Sequence, residues 1–493
     1  MMAALTQIPA KTLGQLLPGV AASSAALAVT GLALDSRRVR PGDVFLAYPG
    51  ESSDGRRFIG AAVAAGAVAV IAEAGWQGAA APAVPVIECA GLRDRVSLIA
   101  DRFYDQPSAA MQVYGITGTN GKTSCTQLLA QALRLLGEPC GAIGTLGASL
   151  DGSVAGGGLT TPDPLALQAQ LAQWRDAGVA RVAMEVSSHG LVQGRVSGLR
   201  FAGAVFTNLS RDHLDFHGTM EAYGAAKARL FEQAGLGFAV INVDDAFGRT
   251  LAQRLRSRLP VISCGLGADA DVGVTDAEYR ADGVDSVLRT PWGALTARCA
   301  LLGDFNLANL LAVIAVLGQA GVDRAAIEQL VPQLRPIAGR MERVAAAADI
   351  EVVIDYAHTP DALEHALAAL RRHCRGRLWC VFGCGGDRDR GKRALMGKVA
   401  GRLADRVVLT SDNPRGEDPA AILAEIKAGM RGDALIEIDR AAAIEAAIAG
   451  AAAGDLVLLA GKGHEDYQVI GAATRPFSDG AVALSALAAR GRA

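Results

Sequence analysis

The chain's 493 residues are more than one ordinary core organises, so two to four domains are expected. Hydrophobic residues make up 51% and charged residues 20%, the balance of a folded soluble protein; with only 5% aromatics, its cores must be built from Ala, Val, Leu and Ile. A formal charge of −2 gives no basis for a nucleic-acid partner, and no apolar run approaches the roughly 18 residues that span a bilayer, so no membrane partner is expected either. Met1–Leu17 is mixed, with Lys11 inside it, and does not read as a signal peptide. The eight cysteines are scattered with no C-x-x-C pair, as expected of reduced thiols in a cytoplasmic protein.

Along residues 1–108, short apolar strands alternate with Gly and Pro turns, and Asp43–Tyr48 and Ala67–Ile71 are strand candidates. Residues 109–336 repeat strand and helix. Met111–Val113 leads into a glycine loop, a helix is predicted over Ser124–Leu136, and Arg181–Met184, Gly203–Phe206 and Ala239–Asn242 read as buried parallel strands. A more β-like insert covers Asp271–Cys299, and helices follow near Phe305–Ala320 and Asp323–Val331. Residues 337–493 alternate again, with strands at Glu351–Asp355, Leu378–Phe382, Arg406–Thr410 and Leu456–Ala460. Such alternation predicts doubly wound sheets with ligands at the carboxyl ends of the strands. Glu185, Asn208, Asp355, Gly383, Asp412 and Gly461 stand at those ends.

Gly115–Thr123, the sequence GITGTNGKT, is the most informative stretch. A glycine turn between strand and helix aims backbone N–H groups at an anion. Lys122 adds a full charge and Thr123 a hydroxyl suited to Mg²⁺. The standard phosphate loop would need glycine at 116, where Ile116 stands, so this is a variant loop for ATP. Glu185 after its strand is placed for a metal-binding carboxylate. Thr207–Gly218 packs two histidines, two aspartates, an Asn and an Arg into twelve residues. Each histidine alone is more often a hydrogen-bonded structural residue, and Lys227, on a predicted helix, reads by itself as a solvated lysine. Asp355 suits a ribose hydroxyl and Arg340 a phosphate, with Asn306 in the same loose set. Ser411–Arg415 offers a guanidinium, and Gly461–Glu465 offers glycine N–H groups and a carboxylate; together they suit a zwitterion.

Six motifs then fall into one order: Thr117–Thr123, Met184–Leu191, Asn208–Asp215, Asp355–Pro360, Asp412–Arg415 and Gly461–Glu465. In that order, and over nearly the whole length, the chain resembles the Mur ligase family, whose own phosphate loop has the shortened form seen here. The resemblance implies an α/β protein of three domains. These are a smaller α/β domain over 1–108, a central P-loop-type ATPase domain with a mostly parallel sheet over 109–336, and a Rossmann-like doubly wound domain over 337–493. It implies a cytoplasmic, monomeric enzyme of peptidoglycan-precursor synthesis that joins meso-diaminopimelate to the D-Glu of UDP-MurNAc-L-Ala-D-Glu using ATP and Mg²⁺. Relatives that add lysine or extend folates, and a nucleotide-switched binding protein without ligase chemistry, are the alternatives.

The same resemblance implies residue roles. Thr117, Gly118, Thr119, Asn120, Gly121, Lys122 and Thr123, with Asn306, Arg340 and Asp355, would bind ATP. Leu34, Ser36, Glu51, Ser52 and Ser53 would line the uridine diphosphate, and Thr160, Thr161, Ser187, Gln193 and Arg195 the muramoyl dipeptide. Arg388, Asp412, Asn413, Pro414, Arg415, Gly461 and Glu465 would hold diaminopimelate. Lys227 matches the family lysine that carries a carbamate formed from CO₂. With His213 it would hold a second Mg²⁺, while Thr123 and Glu185 hold the first, and Lys122, Lys227 and His213 would be catalytic. A lysine that reacts with CO₂ must be neutral, which requires a depressed pKa from burial or a nearby cation.

Overall fold

Strands buried on both faces read as unbroken apolar runs, and the runs singled out above form such strands in a computed structural model of the chain. The structure describes residues 9–51, 53–78, 83–150, 158–267, 269–344 and 348–491. They fall into two compact units, one running up to Gly265 together with Ala312–Gly321, the other comprising Leu266–Leu311 and the chain from Val322 onward.

Besides the short antiparallel pair Lys11–Thr12 and Ala28–Val29, the described residues of the first unit form two sheets. In the smaller one, Gly31–Ala33, Asp43–Ala47, Ala69–Glu73 and Val86–Cys89 run parallel in that order. Alternation along Asp43–Ala47 splits its side chains. Val44 and Leu46 enter a core with Val96, Ile99 and Phe103 of the helix Leu92–Phe103, while Phe45 and Ala47 pack with Ile59 and Ala62. In the larger sheet the order is Val261–Gly265, Phe238–Asn242, Gly203–Phe206, Gln112–Thr117, Arg181–Glu185 and Cys140–Gly144, all parallel, then antiparallel Gly147–Ser149. The strand that feeds the glycine loop is thus central. Glu185 lies beside Ile116 and Phe206 beside Thr117, so the segments after Glu185 and Phe206 leave the sheet next to the loop.

In the second unit the β-like insert is an antiparallel meander of Val272–Arg280, Gly283–Arg289 and Leu295–Cys299. The main sheet runs Glu342–Arg343, Glu351–Asp355, Leu456–Ala460, Leu378–Phe382, Arg406–Leu409 and Leu435–Ile436, parallel except for the first strand. Helices Pro360–Arg371, Gly391–Leu403 and Pro419–Ala428 cover one face. Arg440–Gly450 and Asp479–Arg490 cover the other. Thr359 and Asp418 cap the first and third of these helices, each followed by Pro at the first helical position. The hairpin Tyr467–Ile470 and Ala473–Pro476 has no counterpart in the sequence reading. Among the described residues no helix is long and apolar enough to cross a membrane. All eight cysteines are free thiols.

Candidate active site

The loop is built so that only glycine fits its first bend. Gly118 sits at φ +152°, and a Cβ there would lie 1.8 Å from Thr207 Oγ1. The neighbouring strand end clamps the next two residues. Thr119 N donates to Asn208 O (2.8 Å), Asn120 N to Asn208 Oδ1 (2.9 Å), and Asn208 Nδ2 back to Asn120 O (3.2 Å). Gly121 then opens the 14-residue helix Lys122–Leu135, whose first N–H groups and dipole face the loop. The helix starts two residues before the sequence reading placed it, so Lys122 and Thr123 belong to its first turn.

Two lysines converge on one carbonyl. Lys122 Nζ donates to Gly118 O (2.9 Å) and Thr119 O (2.7 Å), and Lys227 Nζ donates to Gly118 O (2.7 Å). The reading of Lys227 as a solvated lysine is overturned: it is 1% exposed, on the inner face of the helix Met220–Ala228. That face is made of Ala, Gly and Tyr223, small or flat enough to let the helix approach the loop. Tyr223, one turn earlier, lies under the ammonium (4.2 Å to the ring centre) and its hydroxyl is 3.3 Å from Thr119 Oγ1. Burial, and then the Lys122 charge, push the Lys227 pKa well below the ordinary lysine range, against an opposing pull from Asp212.

Glu185 is buried at its strand end, with Thr145 N on Oε1 (2.8 Å) and Thr145 Oγ1 on Oε2 (3.1 Å). A web of hydrogen bonds hangs from the same place. Thr145 Oγ1 meets Thr160 Oγ1 (3.2 Å), Thr161 Oγ1 donates to Glu185 O (3.0 Å), and Ser187 N donates to Thr161 Oγ1 (2.9 Å). Arg195 donates to Thr161 O (2.6 Å) and to Gln193, which in turn reaches Glu51. So Thr160, Thr161, Ser187, Gln193 and Arg195 form one network, and it extends to Glu51 in the loop after the strand Asp43–Ala47. Burial draws Arg195 below the usual guanidinium range, with Glu51 and Asp163 pulling it back up. Leu34 packs against the core of the first sheet and Ser36 opens a short 3-10 helix capped by Asp35. Ser53 accepts from Gly50 N through its carbonyl (2.8 Å), and Ser52 lies outside the described residues.

His213 holds a left-handed conformation (φ +51°) with Nε2 3.4 Å from Asp212 Oδ2. Its ring meets His189 edge-on at 4.9 Å, and His189 in turn packs on Phe216 and His217. Burial lowers the pKa of both His189 and His217. The sequence reading passed over Tyr223, Thr145 and His189. Tyr223 had a signal, four residues before Lys227 and so on the same helix face.

In the second unit, four carboxyl strand ends, at Asp355, Phe382, Leu409 and Ala460, carry most of the remaining candidates. Gly461 (φ +111°) lets the backbone pass Asp412, whose Oδ2 would lie 2.6 Å from a Cβ there. Asn413 Nδ2 donates to Glu465 Oε2 (2.9 Å), and the fully buried Lys462 donates to Asn413 Oδ1 (3.1 Å) and Glu465 Oε2 (3.2 Å). Arg415, at φ +49°, donates from NH1 to Gly386 O (2.9 Å). Its N–H donates to Val469 O (3.1 Å), and its carbonyl accepts from Gly471 N (2.7 Å), both on the hairpin. Beneath them the fully buried Arg440 forks onto Asp479 (2.7 Å twice) and reaches Ser411 O (3.3 Å) and Ala460 O (3.1 Å). Arg388 is exposed on the loop after Phe382, and Pro414 is buried between Asn413 and Arg415. Arg340 stacks on Tyr356 (4.7 Å), and the Asp355 carboxylate accepts from Met341 N (2.8 Å). Burial raises Asp355 above the usual carboxylate range, against Arg340. Asn306 is buried and donates to Leu302 O (2.9 Å).

Family models match in three blocks: "Mur ligase family, catalytic domain" over residues 28–104, "Mur ligase middle domain" over 116–317 and "Mur ligase, glutamate ligase domain" over 339–463. The UDP-N-acetylmuramoyl-L-alanyl-D-glutamate–2,6-diaminopimelate ligase of Ectopseudomonas mendocina is 54% identical over 485 residues, 97% of this chain and 98% of that one. The enzyme of the same name from Pseudomonas aeruginosa is 52% identical over 466 residues, 94% and 96% of the two chains. A solved structure of a UDP-N-acetylmuramoyl-L-alanyl-D-glutamate–2,6-diaminopimelate ligase aligns with a TM-score of 0.76 at 38% identity, covering 98% and 99%. The UDP-N-acetylmuramoylalanyl-D-glutamyl-2,6-diaminopimelate–D-alanyl-D-alanyl ligase of Acinetobacter baumannii shares the fold, with a TM-score of 0.63 at 20% identity over 93% and 96%. By these matches, the chain belongs to the Mur ligase family and has that family's three-domain α/β fold.

Proposed function

We propose that the protein is the ATP-dependent ligase that adds meso-diaminopimelate to the D-Glu of UDP-MurNAc-L-Ala-D-Glu, forming an amide bond with release of ADP and phosphate. The convergence of Lys122 and Lys227 on Gly118 O carries the reading: it sets two cationic groups on a phosphate loop and leaves one of them easily neutralised. Residues 1–108 take the uridine diphosphate end, 109–336 take ATP, and 337–493 take the amino acid. Each chain holds a full set of candidate residues, which supports a monomer, and its nucleotide substrates point to the cytoplasm.

The residues at hand fit Mg²⁺. Glu185 offers a carboxylate oriented by Thr145, and Thr123 a first-turn hydroxyl. Among the described residues no cluster of three or more His, Cys, Asp or Glu makes a ready cage, which suits a cation that arrives on phosphates and takes few protein ligands. Mg²⁺ bound there would neutralise phosphate charge, and His213 together with Lys227, as its carbamate, would hold a second ion. Lys227 is suited to that modification because it is buried and biased toward the neutral amine.

The chain's own residues then act in sequence. Lys122 exchanges its bonds to Gly118 O and Thr119 O for the γ-phosphate, and the loop N–H groups hold the phosphate oxygens. The D-Glu γ-carboxylate, oriented by the web of Thr160, Thr161, Ser187 and Arg195, attacks the γ-phosphorus. The bond to the β-phosphate oxygen breaks, giving an acyl phosphate and ADP. The diaminopimelate amine then attacks the acyl carbon, and phosphate leaves with the electrons of the C–O bond. Arg415 pairs with the distal carboxylate, which lysine lacks, while Glu465 and Asp412 receive an ammonium. Phosphate release that requires both UDP-MurNAc-L-Ala-D-Glu and meso-diaminopimelate is the expected result. Equal release with neither present, or with lysine in place of diaminopimelate, would overturn the reading.

A further inference from the structure

Arg393 lies in the first turn of the helix Gly391–Leu403, near Arg388, Arg390 and Lys392. Cations at that end oppose the helix dipole, so helix formation alone does not explain them. Arg393 is also withdrawn from solvent, with a side chain 1% exposed, and it sits between two acidic residues. NH1 and NH2 fork onto Glu417 (2.9 and 2.8 Å), NH1 also takes Glu425 (2.9 Å), and NH2 reaches Gly385 O (3.4 Å). The fork holds Glu417 down to about 2, so the pair stays charged across the working pH range.

Glu417 is the second residue after Arg415, and it does more than pair. Its Oε1 accepts from Asp387 N (2.6 Å), the residue before Arg388, and its N–H donates to Pro414 O (3.1 Å). Two further bonds close the same seam: Gly386 N donates to Asn413 O (2.9 Å) and Gly416 N to Asp387 Oδ2 (3.0 Å). Arg415 NH1 rests on Gly386 O, inside that seam. The loops after Phe382 and Leu409, on neighbouring strands, are therefore joined side by side, and the Arg393 guanidinium bonds to both, through Gly385 O and the Glu417 carboxylate.

We infer that Arg393 is a positioning residue for amino-acid selection: through Glu417 it fixes the loop carrying Arg388 against the loop carrying Arg415, and so sets where the guanidinium of Arg415 meets the distal carboxylate. This rests on the diaminopimelate reading above. A displacement of about 1 Å at such a contact is enough to cost roughly a hundredfold. Lysine lacks the distal carboxylate and should be indifferent to it.

The test compares kcat/KM for meso-diaminopimelate and L-lysine, with KM for ATP, in the full-length enzyme and in Arg393→Met. The expected result is a rise of about tenfold or more in KM for diaminopimelate, a fall of similar size in the ratio of the two kcat/KM values, and KM for ATP within about twofold. A merely structural loss would lower turnover of both amino acids alike. An unchanged ratio with an unchanged KM for diaminopimelate overturns the inference. Glu417→Gln, which leaves Arg393 paired with Glu425, covers the case where Arg393→Met does not fold: its ratio should fall by a smaller factor, and an unchanged ratio there overturns the inference too. A parent enzyme that uses both amino acids equally well would overturn the diaminopimelate reading, and this inference with it.

Discussion

Replacing Lys227 by Met separates what the amine does for the fold from what it does for the reaction. Methionine keeps the length and the packing on Tyr223 but removes the group that burial and Lys122 push toward neutrality. Gly118 O stays bonded, because Lys122 Nζ also donates to it at 2.9 Å, so no buried carbonyl is orphaned. The main change is then in proton linkage. The unfolded chain holds the Lys227 proton up to about 10.5, whereas the folded chain sheds it well below that. Between the two values unfolding takes up a proton, so this group makes stability rise with pH, by up to about 1.4 kcal/mol per pH unit. Below the folded pKa both states are protonated and the full destabilisation is present. In CO₂-free buffer, the unfolding free energy of the parent minus that of Lys227→Met should therefore climb as the pH rises toward 10.5, with Lys227→Met at least as stable as the parent at the lower end. Ligase activity should be lost throughout. In Lys227→Ala, a small carboxylate such as formate should restore part of it, by standing in for the carbamate. Parallel stability curves for parent and Lys227→Met over that range would refute the depressed pKa, and with it the route to a carbamate.

Two further outcomes are expected in the second unit. Arg415→Ala should lower kcat/KM for meso-diaminopimelate by about a thousandfold or more while KM for ATP moves little, and equal losses on both would remove Arg415 from the pocket. Asp479→Ala leaves Arg440 charged and unpaired at a site where both residues are almost fully buried, and should cost about 3–5 kcal/mol in a urea titration; a loss under about 1 kcal/mol would mean that the Ser411 and Ala460 carbonyls suffice for the guanidinium.

Legibility in the sequence depended on whether a residue's surroundings are local or distant in the chain. The segments around Glu185, Asp355 and Gly461 were legible because each follows an apolar strand buried on both faces, whose carboxyl end is marked by a polar or glycine residue. The meander was legible only as β-like, since its strands show alternating burial rather than continuous burial. The hairpin Tyr467–Ile470 and Ala473–Pro476 was not legible: it is short and largely exposed, and its importance is its bonds to Arg415, fifty-odd residues earlier in the chain. The burial of Lys227 was hidden for a similar reason, since its partner carbonyl is 109 residues away and a short helix rich in Ala gives little periodic signal. Arg393 shares a first turn with an exposed glycine and Lys392, and nothing in local spacing marks it as the buried member.

The treatment of buried cations ties these features together. Among the described residues, Lys227, Arg393, Arg440 and Lys462 are the cationic side chains with less than 2% exposure. Arg440 is paired with Asp479, Arg393 with Glu417 and Glu425, and Lys462 with Glu465. Lys227 forms no such ion pair, sits on a carbonyl and a ring, and has another cation close by. If that position only required a donor for Gly118 O, arginine would serve; if it requires an amine that can give up its proton, arginine must fail. Arginine stays charged above pH 12, so Lys227→Arg keeps a desolvated charge beside Lys122 at every working pH. It should be inactive, should not respond to formate, and should fall below Lys227→Met in stability by about 3 kcal/mol or more at pH 8. A Lys227→Arg enzyme as stable as Lys227→Met would show that this site tolerates a fixed positive charge, and the physical case for a neutral, CO₂-reactive amine there would fail.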